Sequence, residues 1–239
     1  MFEIFIKFFT VLLYYPLFNF LVLLYNYLPK HDFGIAVILL TIIIRIILYP
    51  ISVKTLNSQK TLQSLQPKIK EIQNKYKDNK EQLAKETLEL YRQENINPFS
   101  GLFLAAIQLP ILITLYTVFW KGLNPSELTN LYSFIVNPGQ INATFLGIID
   151  LSKPNFVFAV LAGVFQFFQT KMLIPKSELK QNKESDISQI IQKQMVYIFP
   201  FLTVFILMRL PSAIGLYWIV SGIFSIVQQY VILKKITTN

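Results

Sequence analysis

The sequence contains no cysteine. That excludes a disulfide framework, a thiolate metal site, a cysteine nucleophile and a lipid-bearing cysteine. Histidine occurs once, at His31 in the loop "PKHDFG", where a solvated imidazole is the ordinary outcome. Neither a Walker sequence nor a glycine-rich phosphate loop occurs. Five long apolar segments hold no aspartate or glutamate, which removes the carboxylate relays of proton and cation transporters. No catalytic constellation is left, so the chain reads as a non-enzyme without metal or cofactor.

What is present is apolar surface. Hydrophobic residues make up 53% of the 239 and aromatics 15%, more than one soluble domain of this length can bury. The five segments are Phe33 to Ile51, Phe99 to Trp120, Phe156 to Leu173, Met195 to Met208 and Ala213 to Leu233. A spanning helix needs about 20 residues, and roughly 17 suffice. The fourth is short, but it runs through Arg209, Leu210, Pro211 and Ser212 into the fifth, which predicts two helices joined by a tight turn. The expected fold is an all-α integral membrane protein with a five-helix transmembrane bundle.

The net charge of +9 is distributed by loop. Between the first two segments lie Lys54, Lys60, Lys68, Lys70, Lys75, Lys77, Lys80, Lys85 and Arg92; around the loop after the third come Lys171, Lys176, Lys180, Lys183 and Lys193, and the C-terminus adds Lys234 and Lys235. The opposite side has only Lys30, Lys121, Lys153 and Arg209. Cytoplasmic loops carry the lysine and arginine excess, so the first span enters from outside and the C-terminus is cytosolic in a plasma (inner) membrane. The charge thus points to an anionic membrane face rather than to DNA.

Residues 1–32 form an N-terminal segment. Phe2 to Leu28 is apolar enough to span but holds Lys7, Pro16 and Asn19. The expectation is a helix in the outer interface with Tyr14, Tyr15, Tyr25 and Tyr27 at headgroup level; a sixth span is the alternative. Residues 52–98, between the first span (33–51) and the remaining four (99–233), are patterned. Leu62, Leu65, Ile69, Ile72 and Tyr76 recur at intervals of 3 and 4, and Asp78 with Glu81 resembles a capping box ahead of Leu83, Leu88 and Tyr91. This predicts a cytosolic antiparallel helical hairpin whose first arm is kinked at Pro67. Residues 234–239 form a short cytosolic tail.

Arg45 sits inside "TIIIRIILYP", where an arginine costs roughly 2.5 to 3.5 kcal/mol at the centre of a spanning helix. It lies about 7.5 Å from the cytosolic end, counting 1.5 Å per residue to Pro50. Gln108, Gln166, Gln169, Gln228 and Gln229 also fall in the middle or inner parts of their segments, whereas the outer halves are mostly aliphatic and aromatic. Thr41 and Arg45 share one helical face; Gln166, Gln169 and Thr170 share another; Trp218, Ser221, Ser225 and Gln228 are spaced 3, 4 and 3. Such a pattern fits a wet recess open to the cytosol and sealed outside, because buried polar groups need partners or water. The bland account is an arginine snorkelling to the headgroups and glutamines bonding neighbouring helices.

In this order and spacing, "TIIIRIILYP", "LQPKIKEIQNKYKDNKEQLAKETLELYRQENINPFSG", "IQLPILITLY", "FFQTKM" and "LPSAIGLYWIVSGIFSIVQQY" resemble the YidC/Oxa/Alb membrane insertases, from about residue 11 to residue 233. The resemblance implies five spans around a positively charged groove open to cytosol and lipid. It also implies that Arg45 is the groove charge, Gln108 and Gln169 its glutamines, and Trp218 its tryptophan; Gln166 lies one turn from Gln169, and Ser221 extends the Trp218 stripe. Val53 to Asn95 would be the family's cytoplasmic hairpin. The implied partners are nascent membrane proteins and the bilayer, with the ribosome and a Sec-type translocon as candidates; with so little sequence after Lys235, ribosome contact would fall to the cytosolic loops. The competing class is a small anion transporter or channel with Arg45 as the binding charge. It predicts polar residues reaching both faces and repeated half-structures, neither of which the sequence contains.

Overall fold

The computed structural model describes residue 7 and residues 9–95, 97, 100–172 and 187–237. Phe99, Leu173 and the lysines at 176, 180 and 183 lie outside the described residues. The chain is predominantly helical and divides into two compact units, Met1–Ile47 with Gln108–Asn239, and Leu48–Ile107.

In the first unit a π-helical turn, Thr10–Tyr14, leads into α1, Tyr15–Tyr27. Helix α2, Phe33–Ile47, starts at Asp32, whose Oδ1 accepts from Ile35 N at 2.9 Å as an N-cap. The first apolar segment was expected to continue to Ile51. Instead the helix ends at Ile47 and a second, α3, begins at Tyr49 with Pro50 in its first turn. Proline lacks the N–H that a continuous helix would need there, and its ring crowds the preceding turn.

The second unit contains α3 (Tyr49–Ser64), α4 (Gln66–Lys75) and α5 (Lys80–Gln93). Leu65, Ile69 and Leu90 form its buried cluster, with Ile72 and Tyr91 packed against it. Two expectations are corrected here. Pro67 does not kink one helix; the chain breaks at Leu65 and Pro67 opens α4, where its missing N–H costs nothing. The cap of α5 is Asn79, not Asp78: Gln82 N donates to Asn79 Oδ1 at 3.0 Å. The Lys68–Glu94 pair, 2.8 Å apart and solvent-exposed, contributes little.

Helix α6, Ser100–Lys121, carries Pro110 in its interior, and α7, Phe156–Met172, is capped by Asn155, whose Oδ1 accepts from Phe158 N. Helices α8, Ile187–Leu207, and α9, Ser212–Thr237, follow, separated by the expected turn at Arg209 to Pro211. Both pack on α7; α9 also packs on α2, and α2 on α1. Small residues permit the close approaches. A Cβ on Gly163 would stand 2.4 Å from Val204 Cγ2, and one on Gly222 would stand 3.0 Å from Phe165 Cβ. Thr10–Tyr27 and Ser212–Ile232 are each long and apolar enough to cross a membrane, whereas Phe156–Met172 and Val196–Leu207 are shorter apolar helices.

The loop from α6 to α7 is tied to the N-terminal segment along its length. Tyr14 Oη donates to Glu127 Oε2 at 2.8 Å, and Tyr132 N donates to Asn19 Oδ1 at 2.6 Å. Asn26 Nδ2 donates to the Val136 carbonyl at 2.6 Å, Asn142 N to Tyr25 Oη at 3.0 Å, and Leu146 N to Asp32 Oδ2 at 2.6 Å. Within the loop, β1 (Thr144–Phe145) and β2 (Ile149–Asp150) pair antiparallel. Phe145 of β1 fills the space where Gly34 lacks a side chain and contacts the Phe158 ring.

Candidate functional site

Arg45 occupies the last turn of α2, where the helix macrodipole favours a cation. Its Nε is buried and has no hydrogen-bond partner among the described residues, and neither described ion pair involves it. Thr41, one turn earlier, satisfies itself by donating to the Val37 carbonyl at 2.6 Å.

Tyr217, only 2% exposed, lies on α9, the helix that packs against α2. The Gln108 amide, on α6, donates to the Tyr217 hydroxyl. That bond joins α6 to α9. A second junction joins α7 to α9: Trp218 Nε1 donates to Gln166 Oε1 at 2.9 Å, while Thr170 Oγ1 donates to the Gln166 carbonyl at 2.9 Å. Below Tyr217 on α9, Ser221, Ser225, Gln228 and Gln229 are buried. Ser221 Oγ, Gln228 Nε2 and Gln229 Oε1 have no hydrogen-bond partner among the described residues.

Of the residues singled out from sequence, the structure joins Gln166 to Trp218 and ties Gln108 to Tyr217, while Arg45 makes no hydrogen bond through its buried Nε among the described residues. Ser221 lies one helical turn beyond Tyr217. Gln169 is half-buried and makes no side-chain hydrogen bond among the described residues. Tyr217 is the residue that sequence reasoning missed. Its signal was present, since Tyr217, Ser221, Ser225 and Gln228 recur at 4, 4 and 3, a spacing as helical as the one starting at Trp218.

Leaving a buried polar group unsatisfied costs about 1 to 3 kcal/mol, and a charged one more. This set of groups, the Arg45 guanidinium on α2 with the partnerless Ser221 hydroxyl and the Gln228 and Gln229 amides on the α9 that packs against it, can chemically receive hydrogen-bonding or anionic groups. It offers no nucleophile or acid–base pair, and among the described residues no three His, Asp or Glu side chains converge to hold a metal.

A family profile described as "60Kd inner membrane protein" matches residues 23–239. A membrane protein insertase YidC of Fusobacterium nucleatum subsp. nucleatum is 35% identical over 219 residues, which cover 91% of this chain and 95% of that protein. One from Clostridium tetani is 32% identical over 208 residues, covering 87% and 84%. A membrane protein insertase YidC 2 of Listeria innocua is 33% identical over 205 residues, covering 84% of this chain and 64% of that one.

Proposed function

The chain belongs to the 60Kd inner membrane protein (YidC/Oxa) family, and on that footing we propose that it inserts nascent membrane proteins into the bilayer through a positively charged groove. It is not an enzyme, because the family's work is non-enzymatic insertion and chaperoning. The observation that carries the groove is the Arg45 Nε, buried without a hydrogen-bond partner among the described residues on α2, which packs against α9, where Ser221, Gln228 and Gln229 also carry buried partnerless polar atoms.

In this reading α2, α6, α7, α8 and α9 are the five spans, α3 to α5 lie on the cytosolic side, and the C-terminus is cytosolic. The N-terminal helix lies in the outer interface. Supporting that placement, a loop containing Glu127, Asn130 and Asn142 accompanies the segment from Tyr14 to Asp32. Lipid-exposed irregular backbone does not occur at hydrocarbon depth, so a partner loop of this kind suits a helix lying flat. A substrate's polar outer segment would enter the recess, attracted by Arg45 in surroundings of lower dielectric than water. Its apolar segment would then pass along the lipid-facing sides of α6 and α8 into the bilayer. Burial of that segment, aided by the membrane potential, would drive release without nucleotide.

The test is insertion of a single-span substrate with an acidic outer tail into vesicles containing the purified protein. Arg45→Ala is expected to lower the inserted fraction severalfold. A wild-type yield from that variant would end the proposal that the groove charge acts on substrate. Ribosome and Sec-type translocon remain candidate partners through the lysine-rich cytosolic loops.

A further inference from the structure

The turn joining β1 to β2 is built in an unusual way. Leu146 and Gly147 both have positive φ, 52° and 71°, and Ile148 N closes the turn on the Phe145 carbonyl at 3.0 Å. Asparagine or aspartate ordinarily occupies the first of two such positions, because a bulky side chain is strained there. Leucine is held in place by Asp32, whose Oδ2 accepts the Leu146 N–H. Nothing inside the protein rewards the leucine: its side chain is 61% exposed, and that of Ile148 is 84% exposed.

We propose that this hairpin tip is a lipid anchor, with Leu146 and Ile148 inserted among the acyl chains of the leaflet on that side of the membrane. Three observations select lipid as the occupant. The bond to Asp32 fixes the depth of the tip, since Asp32 caps α2 and the apolar span begins at the next residue. Phe145 docks the hairpin at the entry of two spans, against the Gly34 turn of α2 and Phe158 of α7. The helix that Phe145 touches, α7, opens with further exposed apolar residues, Phe156 and Val157, 65% and 59% exposed, the kind of surface a bilayer covers. A backbone strained at a specified point, with the apolar side chains it presents facing outward, fits an element selected for what it touches outside the protein. The anchor rests on the membrane-embedded reading of the spans but not on insertase activity.

The absence of native cysteine makes single-site labelling clean. Ile148→Cys, Phe201→Cys on the exposed face of α8, and Lys77→Cys on the second unit are each labelled with an environment-sensitive fluorophore. The proteins are then reconstituted in vesicles with nitroxide-bearing lipids. Lipid nitroxide should quench the 148 and 201 probes severalfold more than the 77 probe, and aqueous iodide should reverse that order. A 148 probe quenched by iodide as strongly as the 77 probe overturns the anchor. So does one reached by neither quencher, which would mean a covering protein chain. Should the 201 probe also escape lipid quenching, the embedded reading falls and the anchor with it; a quenched 201 beside an unquenched 148 rejects the anchor alone.

Discussion

Two neighbouring residues on α9 organise the candidate site, and their side chains serve different helices. Tyr217 engages Gln108, whereas Trp218 engages Gln166. Neither role is deducible from spacing, since both residues begin an equally helical series; which one turns inward depends on how α9 is rotated against α2 and α7. The same applies to Gln166 and Gln169, which share a face and differ only in reach. Gln166→Leu should therefore lower stability by about 1 kcal/mol through the abandoned indole N–H. Gln169→Leu should change it by less than about 0.5 kcal/mol, as surface substitutions do. Thermal unfolding of the two variants in the same detergent distinguishes them. Arg45 itself was legible in the sequence because an arginine among isoleucines has so few explanations.

At the level of elements, apolar length and the polar turn at Arg209 to Pro211 mark the helices of the first unit, and the apolar stripe marks the packed face of the second. The boundaries read less well for identifiable reasons. Asp78 and Asn79 are both good caps, each with a suitable partner three residues on, and the choice falls to the residue that actually leaves helical geometry. Pro50 and Pro67 act as helix openers, a role the sequence offers equally with that of kinks. The contact between α7 and α8 depends on a missing side chain at Gly163. Gly163→Val would place carbon against Val204 and the Pro200 carbonyl, forcing the helices apart. A destabilisation of about 1 to 3 kcal/mol is expected. A lower melting temperature, with faster amide exchange in both helices, is the measurement.

Across the whole molecule, the most extensive non-helical structure is the loop bound along the N-terminal helix. Each bond in it is local and modest, but they share one strand of chain, so their loss should be cooperative. The double substitution Asn19→Ala with Asn26→Ala removes the side chains that hold Tyr132, Asn130 and Val136. Amide exchange across 127–146 should rise at least tenfold, while exchange in α7 and α9 stays unchanged. Equal exchange in the variant would mean that the loop is held by its own apolar core of Leu128, Ile135, Ile141 and Leu151. The sequence foreshadowed an apolar helix here and said nothing of its companion, because pairing between distant polar residues leaves no periodic trace.

Helix α6 stands apart from α7, α8 and α9 in how it is held. No backbone among the described residues crowds it as α8 and α9 crowd α7. It meets its neighbours through long side chains: Phe119 edge-on to Phe33 with centroids 6.2 Å apart, and Gln108 reaching Tyr217. Rings and amides thus act as spacers, and the separation of α6 from α2 and α9 is set by side-chain volume rather than by main-chain geometry. Exchanging aromatic for aliphatic residues along α6 would therefore alter that separation while the packing of α7 with α8 and α9 is kept.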